Sequence, residues 1–396
     1  MPKKKLSRRP ADGGVERRPV IPTGDVSEPF LIVELSRDKE EVFVSTQFSR
    51  QRPQGEPRAT GLSVKDISDY YARVISACHP RHGLMEVSTL ASVAEIGNYL
   101  FTSIFTEDEQ DILRAKAQDV RDVEETNSDT FWLGETTPPK VLVLSDRINV
   151  PWELLYLSQD LHRSGIEEGE FLGSSFFVHQ DSLSSSTERY FLEKPFKKSN
   201  GIRVFADNEH FTLGQEAPRV VQLFEEVSSQ ACLAPSFESE NSGRGELAEA
   251  INDCSEDIIH FACHADIDTD GEVRIHVRNG YVESGLTLMA RIKRSPVGPL
   301  VFLNACELSM VDSSSYDTLI NHLLKKRFAA VVATEIRVDS ELAWKFSNSV
   351  YEYFLNYSCR SFHRAIFYAR RKLARDYDSM IGYTYNYYGI RDLAFV

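Results

Sequence analysis

Two apolar segments, "DIIHFACH" at residues 257–264 and "PLVFLNAC" at residues 299–306, indicate the architecture of the second half of the chain. Each is apolar almost throughout and then gives way to polar sequence, "ADIDTDGE" after the first and "ELSMVDSSS" after the second. Continuous apolar runs of this length are typical of strands that are buried on both faces of a parallel sheet. Segments with helical spacing, such as 216–230 and 316–327, alternate with the strands. The alternation predicts an α/β fold whose parallel sheet is covered by helices on both faces.

The first half of the chain is less regular. The segments "FLIVEL" at 30–35 and "EVFVSTQF" at 41–48 predict a pair of strands joined by a polar turn. The stretch 50–62, which is rich in Arg, Pro and Gly, predicts a loop. Helical spacing at 64–77 and 86–105 predicts two helices.

A length of 396 residues is enough for two domains at roughly 150 residues each. Residues 1–28 are rich in Lys, Arg, Pro and Gly and lack apolar periodicity, which predicts a disordered basic tail. We expect an N-terminal lobe over 29–195 and a C-terminal lobe, with regular strand and helix alternation, over 196–396.

Composition excludes several classes of protein. The chain has 45 Lys and Arg against 59 Asp and Glu, a net charge of −14, which disfavours nucleic-acid binding over a broad surface. No apolar run approaches the ~20 residues of a membrane helix, and the basic N-terminus lacks the apolar region of a secretory signal. The six cysteines include no C-x-x-C pair, which predicts reduced thiols. We therefore expect a cytoplasmic protein without membrane contact.

Each of the two predicted apolar strands ends in a residue whose side chain can take part in catalysis. Ligands of open parallel sheets bind beyond the carboxyl ends of the strands, where His264 and Cys306 stand. An imidazole beside a thiol raises the thiolate fraction or takes the proton during attack, and can later protonate a leaving amine. The backbone N–H of Cys306, at the head of a loop, is suited to stabilising an oxyanion. The pairing predicts nucleophilic catalysis, although a single His or Cys at a strand end is more often structural.

Other residues near this pair have different interpretations. His260 lies in mid-strand and should point into packing, and Cys263 should face the side of the strand opposite to His264. We interpret both as structural. A zinc site formed by Cys254, Cys263, His260 and His264 matches no common ligand spacing, so no metal site is predicted.

Several segments, taken in order, resemble the CHAT family of caspase-like cysteine peptidases, which is also similar to separase in its two-lobed build. They are "NVPWELLYL" (149–157), "EDIIHFACHADID" (256–268), "GLTLMARI" (285–292), "LVFLNACELS" (300–309), "FAAVVATEIRVDSELAWKFSNSVYEYFL" (328–355), "SFHRAIFYARRKLARD" (361–376) and the tyrosine-rich "YTYNYYGIRDLAF" (383–395). The spacing of 42 residues between His264 and Cys306 is also close to that of caspase-type sequences, in which a His precedes an Ala-Cys pair by about 50 residues.

The resemblance implies a caspase-like α/β/α sandwich with an inactive N-terminal lobe and an active C-terminal lobe, and a peptidase without cofactor. It implies that Cys306 is the nucleophile and His264 the general base. It further implies an oxyanion hole from the backbone N–H groups of Cys306 and Ala265, where this chain has alanine in place of the family's frequent glycine. By the same analogy, Trp152 and Glu153 are architectural residues at the junction of the lobes.

Substrate preference is suggested by acidic residues just past the ends of the strands. Asp207, Asp266, Glu307 and Glu335 would favour Arg or Lys before the scissile bond if they line a pocket. Glu335 is the strongest of the four because it directly follows a buried strand. The alternative is that these carboxylates are simply solvated.

The family context also suggests partners. Related peptidases are often gated by a partner or sensor, and bacterial CHAT peptidases commonly resemble components of antiphage defence. We therefore expect a protein substrate and a separately encoded activator or sensor. Two alternatives remain open: a non-catalytic caspase-like scaffold that binds proteins through the same rim, and a thiol-dependent acyltransferase or hydrolase of similar chemistry.

Overall fold

A computed structural model describes the fold between residues 29 and 389. The described residues are 29–48, 57–78, 87–126, 138–145, 148, 150–159, 166–182, 201–207, 211–227, 231–234, 241, 243–267, 269, 273–277, 280–296, 298–305, 313–334, 338–356 and 361–389. The predicted basic tail, 1–28, lies outside them.

Strands of the described residues join in one extended sheet. They are β1 (Leu31–Asp38), β2 (Glu41–Phe48), β3 (Arg58–Ser63), β4 (Lys140–Ser145), β5 (Phe177–Ser182), β6 (Ile202–Ala206), β7 (Ala231–Leu233), β8 (Ile258–Ile267), β9 (Val273–Val277), β10 (Tyr281–Ser284), β11 (Leu300–Ala305), β12 (Ala330–Thr334) and β13 (Tyr385–Tyr388).

The helices of the described residues flank this sheet. They are α1 (Val64–Cys78), α2 (Val87–Ile104), α3 (Glu107–Thr126), α4 (Leu172–Ser175), α5 (Phe211–Val227), α6 (Glu246–Asn252), α7 (Gly285–Arg291), α8 (Ser313–Lys325), α9 (Ser340–Asn356) and α10 (Phe362–Tyr377). Short 3-10 helices occur at Trp152–Leu154, Glu168–Glu170 and Met380–Thr384.

The sheet is mixed, with parallel pairing at its centre. Its strand order is β10-β9-β8-β11-β12-β13-β5-β4-β1-β2-β3, and β6 pairs with both β7 and β8. The pairs β6–β8, β8–β11 and β11–β12 are parallel, as the apolar runs predict. Antiparallel pairing occurs at the margins, in β1–β2–β3 and β8–β9–β10, and between β12 and β13. The fold is therefore α/β with a large, mostly parallel sheet.

The sheet is continuous between the two halves of the chain. In the parallel pair β5–β13, Tyr387 lies opposite His179 and Tyr388 opposite Gln180. The N–H of Gly389 donates to the carbonyl of Gln180 at 2.7 Å. The predicted division of the chain at residue 195 falls in a segment outside the described residues, so the division into two lobes stays a prediction.

Helices cover both faces of the sheet in the second half. Leu300 and Phe302 of β11 belong to one apolar core, which contains residues of α5, α9 and α10. Val301 and Leu303 belong to a second core on the other face, which contains residues of α6, α7 and α8. This alternation follows from the two-residue period of a strand, and it confirms the predicted layering.

The "PWELL" segment is a buried junction. Trp152 is 0% exposed, and Glu153, 1% exposed, accepts from Nη2 of the fully buried Arg370 at 3.1 Å. Arg370 also donates from Nε to the carbonyl of Gly382 at 3.2 Å and from Nη2 to the carbonyl of Tyr385. One guanidinium thus joins this segment to α10 and to the start of β13, which agrees with an architectural role.

Local predictions in the first half are mostly confirmed. The hairpin of β1 and β2 forms, and α1 and α2 match the two predicted helices. The next helix, α3, begins with a capping box in which Thr106 N–H donates to the Glu109 carboxylate at 2.7 Å. The prediction of a loop over 50–62 is wrong for its last residues, because Arg58–Ser63 form β3. This strand is polar because it pairs only with β2 and buries little besides Leu62.

Candidate active site

The predicted reactive residues belong to neighbouring parallel strands, β8 and β11. In their register, Asn304 lies opposite Ala262 and Ala305 opposite Cys263. His264 is the next residue of β8. Cys306, the next residue after β11, lies outside the described residues, as do Glu307 and Glu335. In sequence, Cys306 therefore comes directly after Ala305, the residue that is paired with Cys263.

His264 stands where β8 leaves the main sheet. Residues up to Cys263 pair with β11, whereas His264 begins an antiparallel ladder with β9, opposite His276. His264 is partly exposed, but its neighbours Cys263 and Ala265 are 0% exposed because they face the second core. His260 is likewise 0% exposed, which confirms that it points into packing.

Asp266 is bound by Arg274 and His276, which lie on the same face of this ladder. Its carboxylate accepts from Nε and Nη2 of Arg274 at 2.8 and 3.0 Å. Nε2 of His276 lies 2.9 Å from its Oδ2. Neutralised in this way, Asp266 is less suited to bind a substrate cation. The alternating sequence "VRIHV" placed Arg274 and His276 on one face, but sequence reasoning missed their connection to Asp266.

Asp207 directly follows β6, the strand that pairs with β8 along the edge opposite to β11. It is 5% exposed, and its N–H donates to the carbonyl of Ala262 at 2.9 Å. Because Ala206 lies opposite Ala262 in the parallel β6–β8 register, Asp207 reaches the level of Cys263. Of the four predicted acidic residues, Asp207 and Asp266 are thus both brought to the strand that carries His264.

Ala265 continues β8 opposite Ile275. The non-glycine residues with positive φ in the described part of the chain are Lys39, Arg327 and Asp378, so Ala265 has the ordinary backbone conformation expected of alanine.

A buried polar cluster that sequence reasoning missed lies below the strand ends. Oε1 of Glu216, on α5, accepts from His260 Nε2 at 3.0 Å, from Asn304 Nδ2 at 2.6 Å and from Ser347 Oγ at 2.5 Å. Glu216, His260 and Ser347 are 0% exposed, and Asn304 is 1% exposed. A signal was present in the sequence, because Glu216 occupies the same helix face as the apolar Val220 and Phe224.

Two tyrosines complete this cluster. The hydroxyl of Tyr351, on α9, lies 2.9 Å from His260 Nδ1, and the hydroxyl of Tyr385 donates to Asn304 Oδ1 at 2.5 Å. Burial, and the proximity of Glu216, raise the pKa of Tyr351 well above its usual value, so its hydroxyl stays protonated. We name the set the Glu216 cluster; it contains Glu216, His260, Asn304, Ser347, Tyr351 and Tyr385.

Within the described ranges, no three His, Cys, Asp or Glu side chains are grouped so as to hold a metal ion. Nor does any helix in those ranges combine the length and the apolar character needed to cross a bilayer.

Comparison with solved structures identifies the fold. Saccharomyces cerevisiae separase, in its complex with securin, is similar with a TM-score of 0.52 and 11% identity over 92% of this chain. The match spans only 30% of the separase chain. The Arg-specific cysteine proteinase gingipain R is similar with a TM-score of 0.44 and 14% identity, over 72% of this chain and 68% of its own. The likeness to separase shows a caspase-like fold.

Comparison with sequences identifies the family. No curated protein matches the chain. The profile of the CHAT domain matches residues 138–380, a range that includes the "PWELL" segment and both predicted reactive residues. This range covers more than half of the chain, and the chain therefore belongs to the CHAT-domain family.

Proposed function

We propose that this CHAT-domain protein is a cysteine endopeptidase in which Cys306 is the nucleophile and His264 the general base. The observation that carries the proposal is the parallel register of β8 and β11. Because Ala305 lies opposite Cys263, His264 and Cys306 each come directly after one of two residues that are paired across β8 and β11. Neighbouring strands are about 4.8 Å apart, a separation that a thiol and an imidazole can bridge.

The proposed reaction uses a thioester intermediate. The Cys306 thiol gives its proton to His264 as the sulfur attacks the carbonyl carbon of the scissile bond. Backbone N–H groups of Cys306 and Ala265 stabilise the resulting oxyanion. His264 then protonates the departing amine as the C–N bond breaks, and a water molecule, deprotonated by His264, hydrolyses the thioester.

We further propose cleavage after Arg or Lys. Asp207 supports this, because it is nearly buried beside the strand of His264, and a carboxylate excluded from water recognises a cation strongly. Glu335 and Glu307 remain candidates for the same pocket on the basis of the sequence. Asp266 contributes least, since Arg274 already neutralises it.

The biological setting is proposed from the family. We propose a cytoplasmic effector of bacterial antiphage defence that cleaves a protein substrate once a separately encoded activator or sensor engages it. Support comes from membership of the CHAT family together with the family context given above.

The experiment that tests peptidase function maps new protein N-termini. Wild-type protein, Cys306→Ala and His264→Ala are incubated with lysate of the source organism, with and without proteins encoded by neighbouring genes. Both variants should lose cleavage by about 10³-fold or more, as expected when a catalytic nucleophile or base is removed. Cys232→Ala is the matched control, because Cys232 lies on β7 and its partly buried thiol donates to the Glu256 carboxylate.

Cleavage that persists in Cys306→Ala would contradict the mechanism. Cleavage absent in every arm, including those with neighbouring gene products, would favour the alternative of a non-catalytic scaffold. In that case the same protein should retain its partners in a pull-down in which Cys306→Ala behaves like the wild type.

Specificity is tested separately with fluorogenic peptides. Asp207→Asn should lower kcat/KM for peptides with Arg before the scissile bond by about 10- to 100-fold, the cost of losing a desolvated charge pair. Asp69→Asn, on the exposed surface of α1, is the control. Glu335→Gln belongs in the same series, and cleavage after Arg that is faster than in the wild type would remove Glu335 from the pocket.

A further inference from the structure

The Glu216 cluster is unusual for its surroundings. It lies within the larger apolar core, between β8, β11, α5 and α9, and its members are at most 1% exposed. A carboxylate in such a place is costly unless it is hydrogen-bonded, and an apolar side chain of similar volume is often at least as stable. Stability alone therefore gives little reason for a carboxylate at position 216.

The hydrogen bonds give Glu216 a defined geometry. The His260 ring bridges two groups, with Nε2 3.0 Å from Glu216 Oε1 and Nδ1 2.9 Å from the Tyr351 hydroxyl. Asn304 donates to Glu216 and to the carbonyl of Ala343 at 3.1 Å. His260, Asn304 and Ser347 are each oriented by at least two hydrogen bonds. All the bonds to Glu216 converge on Oε1, whereas its Oε2 is buried without a hydrogen-bond partner among the described residues.

The cluster joins the two strands that lead to the proposed catalytic residues. Asn304 precedes Cys306 by two residues, and His260 precedes His264 by four. Side chains alternate along a strand, so His260 and His264 project from the same face of β8. Both strands meet at one oxygen atom of Glu216, and a shift of either strand lengthens a bond to it.

Helices on that face are held by the same atom. Ser347 connects α9 to Glu216 directly, Tyr351 of the same helix is connected through His260, and Glu216 itself belongs to α5. The hydroxyl of Tyr385 donates to Asn304 and so connects β13, the strand that joins the two halves of the sheet. The register of β8 and β11 is therefore coupled to α5, α9 and β13.

We propose that Glu216 is a positioning residue, which holds β8 and β11 so that His264 and Cys306 stay within reach of each other. The proposal rests on the proposed function. Glu216 acts through His260 and Asn304 and does not touch the substrate.

The test measures alkylation of Cys306 and needs no substrate. The rate of carboxamidomethylation by iodoacetamide is followed from pH 5 to 10, and the modified cysteine is located by peptide mass spectrometry. In the wild type, the inflection for Cys306 should lie below the ordinary thiol value of about 8.5, because a nearby imidazole favours the thiolate. In Glu216→Gln, the rate at pH 7 should fall about 10-fold and the inflection should move toward that of His264→Ala.

A milder variant protects the test against failure to fold. Ser347→Ala removes one donor to Glu216 and should lower the rate at pH 7 about 3-fold. Ser349→Ala is the matched control, a serine of the same helix that is 3% exposed and outside the Glu216 cluster; it should leave the profile unchanged. Urea midpoints of all variants separate loss of stability from loss of positioning.

The outcomes distinguish failure of the positioning role of Glu216 from failure of the proposed peptidase function. A wild-type profile with an ordinary inflection contradicts the catalytic pair and overturns both proposals. A shifted wild-type inflection that Glu216→Gln and Ser347→Ala leave in place, while their urea midpoints fall, overturns the positioning role alone.

Discussion

The buried pair of Glu153 and Arg370 should be a large source of stability for the junction between the "PWELL" segment and α10. Both side chains are at most 1% exposed, and burial lowers the pKa of Arg370 while the charge of Glu153 opposes that shift. Glu153→Gln keeps the shape but leaves the guanidinium with only carbonyl partners. Breaking a buried pair by removing one partner costs about 3–5 kcal/mol. Arg370→Met should cost a similar amount, because it leaves the carbonyls of Gly382 and Tyr385 without their donor at roughly 1–3 kcal/mol each.

Thermal unfolding followed by circular dichroism checks this magnitude. With an unfolding entropy of about 2.1 cal/mol/K per residue over 396 residues, a loss of about 4 kcal/mol lowers Tm by roughly 5 °C. The double variant should lose less than the sum of the two single losses by at least about 1 kcal/mol, since neither charge is then left alone. Arg375→Gln breaks a half-exposed pair with Asp376 and should cost less than about 1 kcal/mol. Additive single losses, or a Glu153→Gln variant as stable as Arg375→Gln, would refute the reasoning.

Three further predictions follow from burial. Burial lowers the pKa of His179 well below 6.5, so the unfolded chain binds the proton more readily; stability should be full above pH 6.5 and fall as the pH drops below it, by up to about 1.4 kcal/mol per pH unit. Urea midpoints at pH 5 to 7 should show a flatter dependence in His179→Gln, and equal slopes would contradict the assignment. Gly97→Ala should destabilise the junction by several kcal/mol, because its Cβ would stand 2.2 Å from the carbonyl oxygen of Leu154; an unchanged Tm would show that α2 moves aside without cost. Burial raises the pKa of Cys254 to about 12, so iodoacetamide should modify this thiol far more slowly than Cys232 at pH 8 in the folded protein, as peptide mass spectrometry can establish.

Local patterns in the sequence were enough to predict the central strands. The runs that became β8 and β11 are apolar on both faces, so their parallel pairing could be predicted. The end of β8 was predicted wrongly at His264, because the strand continues to Ile267 by pairing with β9. The polar strand β3 and the short strand β7 could not be predicted from local patterns. β3 buries little besides Leu62, and β7 has only three residues, so their existence depends on pairing with neighbours rather than on composition.

Contacts between distant residues account for most of what the sequence concealed at the candidate site. His260 was predicted to be buried, but its partners Glu216 and Tyr351 are 44 and 91 residues away. Asp266 was interpreted as one of several open carboxylates, whereas the turn from β8 into β9 brings Arg274 back against it. Patterns along the chain report which face a side chain occupies, and only the tertiary fold determines which charge it meets there.

The placement of polar groups around β8 separates two requirements that a cysteine peptidase must meet. A nucleophile and its base need access to substrate, and His264 is partly exposed just beyond the last residue of β8 that pairs with β11. They also need a fixed separation, which an exposed loop provides poorly. Deeper in the core, the fully buried carboxylate of Glu216 binds side chains of both strands, His260 of β8 and Asn304 of β11. Water cannot compete for hydrogen bonds at this depth. Under the proposed function, this arrangement leaves the rim to a substrate or a partner, while hydrogen bonds in the core hold β8 and β11 in place. If this division is correct, variants of the Glu216 cluster should impair the reactivity of Cys306 more than they change the choice of substrate, and variants of Asp207 should do the reverse.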